Sequence, residues 1–347
     1  MNPASLIPLA EPIPVPWPWF DALLVITFAA HILFMNSMLG SAAIGLVHAF
    51  KGKEGLTRDI GQKLPPLLAL TINLGVAPLL FLQVNYGQFD YVSSVLMGGW
   101  WLCVIPVLIL SYYGLYAYKF AYDSMSRPRR LAIFSLSVGG LLYVGFMLSN
   151  NMTIMLRPEI WSRYFEGHTA FLNWGDPAIY PRFLHFMVGT VAIGGVFIAL
   201  LGHWRKQEEY VAIGLTWFIR ATIVNIAIGL WFLMALPGNM MLNFMGQTLP
   251  ATATFVAALA SAALMLWAAI RKKTTQTAVW AATTVLFMSF TRHWVRTLYL
   301  EPWFRIETTP ITHQYGSLYL FIGFLVVGLA LIGYMLKLYF KSRGGEA

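Results

Sequence analysis

Residues 179–204 have the sequence IYPRFLHFMVGTVAIGGVFIALLGHW. This apolar run is long enough to cross a bilayer as a helix, which takes about 20 apolar residues. Arg182 and His185 lie just inside its first end. A histidine at this depth can donate a ring nitrogen to a metal, and an arginine one turn earlier can pair with an acidic group of the same ligand. The stretch therefore predicts a haem-like environment, with a structural histidine at the end of a helix bundle as the alternative.

The composition of the chain is that of a membrane protein. Of the 347 residues, 58% are hydrophobic and only 11% are charged, whereas soluble domains carry about 25% charged residues. The mean hydropathy of +0.66 agrees with this. We therefore predict an all-α, polytopic helix bundle in a lipid bilayer. The net charge of +9 is explained by its distribution over the loops, so we expect no nucleic-acid partner.

The cysteine content limits the covalent bonds that the chain can form, and the first residues argue against a signal peptide. Cys103 is the single cysteine, which excludes an internal disulfide bond and a CxxCH site for covalent haem attachment. Any haem in this chain is therefore held non-covalently. Residues 1–20 have no basic start and are interrupted by prolines. We expect them to form an extended external segment and not a cleavable signal peptide.

Nine apolar runs are each long enough to span the membrane. They lie at residues 21–49, 65–88, 97–118, 132–150, 183–202, 212–236, 250–270, 277–299 and 316–337. Sixteen Lys and Arg residues lie on one side of these runs and six on the other, with Arg220 inside the sixth run. The positive-inside rule then places the N-terminus outside and the C-terminus in the cytoplasm. We predict one membrane-integral domain, 1–347, in which residues 151–182 form an external lid over the helix ends.

Polar residues inside apolar runs are candidates for function, because a charge at membrane depth is costly. His31 lies in the outer half of the first run, and Arg292, His293 and Arg296 lie near the outer end of the eighth. With His185 and Arg182, three histidines and three arginines gather in the external leaflet. This pattern is expected if bound tetrapyrroles present their propionates to the arginines. The alternative is that Arg292 and Arg296 extend to lipid headgroups.

The remaining histidines and the carboxylates are weaker candidates for the cofactor site. His48 and His203 lie at cytoplasmic helix ends, where a structural role is expected, and His168 and His313 lie in external loops. All fourteen Asp and Glu residues fall in loops or at the ends of runs, with Asp21 and Asp90 at external boundaries. We therefore expect no buried carboxylate, which disfavours proton pumping and proton antiport.

Several stretches resemble one family of membrane proteins. They are HILFMNSMLGSAAIG from residue 31, INLGVAPLLFLQVNYGQFD from residue 72, SNNMTIMLRPEIW from residue 149 and LNWGDPAIYPRFLHFMVGT from residue 172. Together they are similar to subunit I of cytochrome bd quinol oxidases over about the first 205 residues. The resemblance implies nine helices in a bacterial or archaeal inner membrane. It also implies that His31 ligates a high-spin haem and His185 a low-spin haem.

The C-terminal half resembles the family less closely. The family has a glutamate haem ligand shortly before a GRQPW motif, and RHWVRTLYLEPW, from residue 292, occupies the similar place. The resemblance thus implies that Arg296 matches the arginine of the motif and that His293 replaces the glutamate. Three family features are missing: the glutamates of the third helix, the long quinol-binding loop, and a methionine at the outer end of the seventh run. Met240, Met241 or Met245 could substitute for that methionine as an axial ligand.

These observations predict a b-type cytochrome subunit of a membrane oxidoreductase complex, with two or three haems. It would relay electrons between the quinone pool and a c-type cytochrome or another external redox partner. The resemblance also implies a second integral membrane subunit as a partner. Two alternatives remain open: a quinol-oxidising terminal oxidase subunit that reduces oxygen, and a haem-free anchor or scaffold subunit.

Overall fold

Nine long helices form most of the described chain, and each coincides with one of the nine predicted runs. The computed structural model describes residues 2–167 and 170–344. The helices are α1 (Trp17–Phe50), α2 (Glu54–Met97), α3 (Val104–Phe120), α4 (Arg127–Met155), α5 (Ile179–Arg205), α6 (Glu208–Ala235), α7 (Leu249–Ile270), α8 (Thr274–Leu300) and α9 (Gly316–Gly344). The structure is 84% helical, with no strand in the described part. The prediction of an all-α fold is confirmed.

Eight of these helices are long and apolar enough to cross a membrane. The third of the eight joins α3 to the short helical turn before it, giving a span of Gly99–Phe120. Helix α8 is not among the eight, because Arg292, His293, Arg296 and several threonines lower its hydropathy. The chain is thus a multi-pass membrane helix bundle in which α8 is the most polar of the long helices.

Most of the helices extend beyond the apolar runs that predicted them. Helix α2 has 44 residues and is about 66 Å long at 1.5 Å per residue, roughly twice the hydrocarbon thickness of about 30 Å. It bends at Tyr86, whose backbone is not helical (φ −139°, ψ 26°). Helix α4 ends only at Met155 and α5 begins at Ile179, so the predicted lid of residues 151–182 is shortened to residues 156–178. Hydropathy identifies the part of a helix that can lie in the hydrocarbon core. It does not show where the backbone hydrogen bonding of the helix ends.

One end of the bundle is covered by three segments, residues 2–16, 156–178 and 301–315, of which 168–169 are not described. We call this the capped end. Ile13 exchanges backbone hydrogen bonds with the third segment, to Pro310 (2.9 Å) and from Thr312 (2.9 Å). The buried ring of Phe89 on α2 contacts Trp161 and Phe304, with centroids 6.0 and 5.6 Å apart. The N-terminal segment is therefore part of a packed layer, and α1 already begins at Trp17, inside the predicted extended stretch 1–20.

The opposite end of the bundle is held by ion pairs. Asp59 on α2 pairs with Lys63 one turn later and with Arg205 at the end of α5, both at 2.6 Å. Arg130 at the start of α4 pairs with Glu54 at 2.7 Å. Surface pairs of this kind stabilise by less than about 1 kcal/mol each. They mark the end at which basic residues concentrate.

Helices α1 and α5 cross in direct backbone contact. A Cβ atom on Gly40 would overlap the carbonyl oxygen of Thr190, and one on Gly194 would overlap the backbone of Gly40 and Ser41. Only glycine permits this approach, because any side chain would have to occupy the space of the other backbone. The crossing sets the distance between the two helices that carry His31 and His185.

Candidate cofactor-binding site

His31 lies on α1 with its ring against α2. Its Nδ1 is 3.0 Å from the backbone carbonyl oxygen of Thr71. Gly75 provides the room, because a Cβ there would lie 2.9 Å from Cε1 and 3.0 Å from Nδ1 of the ring. A carbonyl oxygen only accepts, so this contact places the proton on Nδ1 and leaves the lone pair on Nε2. This is the arrangement in which a histidine ligates a metal.

His185 lies on α5 with its ring against α6. A Cβ on Gly229 would lie 3.1 Å from Cε1 and 3.3 Å from Nδ1. The Nδ1 atom is buried next to the backbone of Asn225. No atom of the described residues lies at both the distance and the angle of a hydrogen bond to it. Buried polar atoms without a partner are rare, because each costs about 1–3 kcal/mol. The unpaired atom faces α6 and not the Nε2 side of the ring, so the packing on Gly229 is the contact that orients this histidine.

His293 belongs to a buried polar cluster with Asp21 and Arg296. Its Nδ1 lies 3.2 Å from Oδ2 of Asp21 and 3.2 Å from Nη2 of Arg296. The same Nη2 lies 3.3 Å from Oδ1 of Asp21. In the tautomer that leaves Nε2 free for a ligand, Nδ1 donates to the carboxylate of Asp21, and in the other tautomer Nδ1 accepts from Arg296. This cluster joins α1 to α8.

Three arginines carry more positive charge into this region than the carboxylates balance. Arg182 is 8% exposed and Arg296 is 3% exposed. Among the described residues, Arg296 pairs with Asp21, whereas Arg182 and Arg292 have no ion pair within 4.0 Å. They lie instead over aromatic rings, Arg182 on Phe232 (5.3 Å) and Arg292 on Phe28 (4.2 Å). Buried guanidinium groups without an anion fit a ligand that brings carboxylates of its own.

The three histidines do not form one metal site. In residues 2–167 and 170–344, no group of three or more His, Cys, Asp or Glu side chains is placed to hold a single metal ion. A haem needs only one or two protein ligands to its iron, because the porphyrin supplies four nitrogens. The separate placement of His31, His185 and His293 fits separate planar cofactors. It does not fit a metal cluster.

The structure corrects the expectation that no carboxylate is buried. Asp21, Asp90 and Asp176 are 6%, 3% and 5% exposed. Asp21 lies in the first two turns of α1, Asp90 lies seven residues before the end of α2, and Asp176 lies in the segment before α5. The packed segments of the capped end place all three inside the protein. Asp176 pairs with Arg157 at 3.3 Å. Burial opposes the charge of Arg157, but Glu159 and Asp176 together raise the pKa of its guanidinium above the usual value.

The other candidate ligands have structural or exposed positions. Nε2 of His48 lies 3.3 Å from Nε1 of Trp217, which donates to it, in agreement with the structural role predicted for His48. His203 and His313 are exposed, and His168 lies outside the described residues. Met240 is buried at 7% exposure and packs beside Phe244 and Val295, whereas Met245 is 56% exposed. Of the methionines in residues 237–249, Met240 is the one held in the interior near α8.

Asp21 is expected to stabilise the fold through Arg296. Replacing Asp21 with alanine leaves a buried guanidinium without an anion, and breaking a buried pair in this way costs about 3–5 kcal/mol. Thermal unfolding of the detergent-solubilised protein should therefore show a clearly lowered midpoint. The matched control is Asp123→Ala, because Asp123 pairs with Arg58 in solvent, with side chains 72% and 52% exposed. The control should cost less than about 1 kcal/mol, and equal losses in the two variants would contradict the role of Asp21.

The arrangement can hold a planar, anionic cofactor with an aromatic ring system. Histidines on α1, α5 and α8 offer ring nitrogens, the arginines offer partners for acidic groups, and apolar helices surround both. These side chains supply binding and orientation, while electron exchange would belong to the cofactor. Comparison of the chain with protein-family models and with curated proteins gives no match.

Proposed function

We propose that the chain is the haem-binding subunit of a membrane electron-transfer complex. It is a b-type cytochrome, similar to subunit I of cytochrome bd quinol oxidases, that relays electrons between the quinone pool and a c-type cytochrome or another external redox partner. The observation that carries the proposal is the excess of positive charge inside the bundle: Arg182 is 8% exposed and has no ion pair within 4.0 Å among the described residues, while His293 and Arg296 share one buried carboxylate, Asp21. Neutral nitrogen ligands beside unpaired guanidinium groups fit haem and its propionates.

Each side chain has a definite task in this proposal. His31, His185 and His293 would hold two or three non-covalent haems by a ring nitrogen, and Arg182, Arg292 and Arg296 would pair with the propionates. When bound, haem supplies one-electron exchange between ferric and ferrous iron. The apolar helices exclude water from the rings, which strengthens every charge interaction at the site. Asp21, whose Oδ2 lies 3.2 Å from Nδ1 of His293, orients the ring of His293.

The proposed topology has nine spans, including α8, with the N-terminus outside and the C-terminus in the cytoplasm of a bacterial or archaeal cell. The end that carries Arg58, Arg130, Arg205 and their acidic partners is then cytoplasmic, in keeping with the positive-inside rule. The capped end is external. All six site residues lie in the halves of their helices next to the capped end, so the cofactors are close to an external partner.

A second candidate function is a quinol-oxidising terminal oxidase subunit that reduces oxygen. The burial of Asp21 and Asp90 favours it, because oxygen reduction consumes protons and buried carboxylates can deliver them. Asp90 is held by Gln83 at 3.2 Å on the same helix as Tyr86, whose ring lies 4.6 Å from the guanidinium carbon of Arg296. Haem without oxygen consumption would support the relay, and quinol-dependent oxygen consumption would support the oxidase.

The proposal is tested by measuring haem in the purified protein. A pyridine haemochrome spectrum with a protein assay should give two or three b-type haems per chain. The variant Arg182→Leu should lower the haem content, because a propionate would lose its partner, and Arg163→Leu, an arginine of the capped end outside the cluster, should not. Purified protein that contains no haem would overturn the proposal and favour the haem-free scaffold.

The subunit is expected to work in a complex. Residues 156–178 and 301–315 form one packed layer around Phe89, which offers a surface for a c-type cytochrome, and α9 offers apolar surface for a second integral subunit. Purification in a mild detergent, followed by haem staining and mass spectrometry, should recover both partners. A monodisperse single chain that retains full quinol-linked electron transfer would contradict this expectation.

A further inference from the structure

Two helix pairs of the chain repeat the same arrangement. Helices α1 and α2 form one pair and α5 and α6 the other, and equivalent residues stand 154 positions apart in the sequence. The equivalent residues are His31 and His185, Gly40 and Gly194, Thr71 and Asn225, and Gly75 and Gly229. His293 has no such counterpart, since the residue 154 positions before it is Gly139. The repeat therefore distinguishes two of the three candidate ligands from the third.

The contacts of the two histidines repeat as well. In each pair the histidine ring of the first helix rests on a glycine of the second, and Cε1 and Nδ1 are the nearest ring atoms. The distances from an added Cβ would be 2.9 and 3.0 Å at Gly75 and 3.1 and 3.3 Å at Gly229. Four residues before each glycine, Thr71 and Asn225 have their backbone next to Nδ1. In both halves a glycine of the partner helix supports the ring, and in the first half the carbonyl oxygen of Thr71 also lies within hydrogen-bond distance of Nδ1.

The remaining pair of equivalent residues lies where α1 and α5, the two helices that carry the histidines, cross. Gly40 and Gly194 meet at the crossing of α1 and α5, each nine residues after its histidine. The crossing therefore brings together equivalent positions of the two helices that carry the histidines.

We infer that Gly75 and Gly229 are positioning residues that orient His31 and His185 for their ligands. This inference rests on the proposed haem-binding function. A methyl group at either position would lie closer to the ring than the ordinary contact distance of about 3.5–4.0 Å between carbon atoms. The ring would have to move away from the partner helix, and Nε2 would point in a new direction. The groups that touch the ring of a ligating histidine set the direction of its free nitrogen.

The test uses Gly75→Ala and Gly229→Ala, with Gly139→Ala as the matched control because a Cβ at Gly139 meets nothing within 4 Å. In protein labelled with ¹⁵N-histidine, NMR reports which ring nitrogen carries the proton, whether or not haem is bound. Gly75→Ala should change the ring signals of His31, and Gly229→Ala those of His185, with assignments from His31→Gln and His185→Gln. In the haem-loaded protein, each variant should shift the midpoint potential of a different haem.

A double substitution keeps the inference testable if the single variants fold poorly. If the methyl group acts only by striking the ring, His31→Ala with Gly75→Ala should regain the thermal stability that Gly75→Ala alone loses. Ring signals and potentials that match those of Gly139→Ala would overturn the inference, as would a double variant no more stable than Gly75→Ala. If the protein contains no haem but the ring signals change as expected, the positioning role stands and the proposed function fails.

Discussion

Replacing His185 with alanine is expected to remove the low-spin haem absorption bands from the purified protein while the chain still inserts. Alanine has no lone pair to offer the iron, and the ring lies inside the bundle, where no other histidine of α5 can replace it. The remaining run of α5 keeps its length and its apolar character, with a mean hydropathy of 2.2 in its most apolar window. Insertion should therefore be unaffected.

The measurement is a reduced-minus-oxidised spectrum at matched protein concentration, with haem quantified per chain. His203→Ala is the matched control, because His203 lies on the same helix but is exposed at the opposite end. The control should keep every band. A His185→Ala protein with an unchanged spectrum would show that His185 is not an axial ligand.

A second large effect is expected from Gly40→Ala. The added methyl group would have to occupy the position of the Thr190 carbonyl oxygen, and a backbone atom cannot move aside as a flexible side chain can. Overpacking typically costs about 1–3 kcal/mol, and we expect this substitution to reach at least the upper end of that range. The crossing of α1 and α5 would widen, which should lower the midpoint of thermal unfolding and the yield of monodisperse protein.

The control for this prediction is Gly323→Ala, since a Cβ at Gly323 in α9 meets nothing within 4 Å. Its unfolding midpoint should match that of the unaltered protein. Because Gly40 follows His31 at a fixed distance on α1, Gly40→Ala should also alter haem content. A Gly40→Ala protein as stable as the control would contradict the close crossing of α1 and α5.

The fold could be predicted from hydropathy because each spanning helix must satisfy its backbone inside the segment. Nine apolar runs therefore gave nine helices. The ends could not be placed as well, because α2 continues through a bend at Tyr86 for nine residues beyond residue 88. Residues 156–178 look like an open loop in sequence, and their packing depends on contacts such as Trp161 with Phe89 that are distant in the chain.

The candidate site could be predicted only in part. A histidine or arginine in an apolar run is conspicuous, and all six chosen residues lie in the bundle. Their partners were not visible: Asp21 is 272 positions before His293, and Thr71 contributes a backbone atom, which no side-chain pattern reveals. The repeat at an interval of 154 residues was also missed, because few residues other than histidine and glycine are identical between the halves. A search for equal histidine-to-glycine spacings would have found it.

Helix α9 has a different source of stability from the rest of the bundle. Its most apolar window has the highest mean hydropathy of the eight spans, 2.3, yet only 6% of that window is buried by the protein. Leu318 and Phe321, near its start, contact the bundle, and the side chains beyond them that the structure describes are mostly exposed. The rest of the described chain thus leaves this surface to acyl chains or to the second integral subunit proposed above. Its tilt should follow bilayer thickness, so lipid composition could reorient α9 while the histidine-bearing helices stay in place.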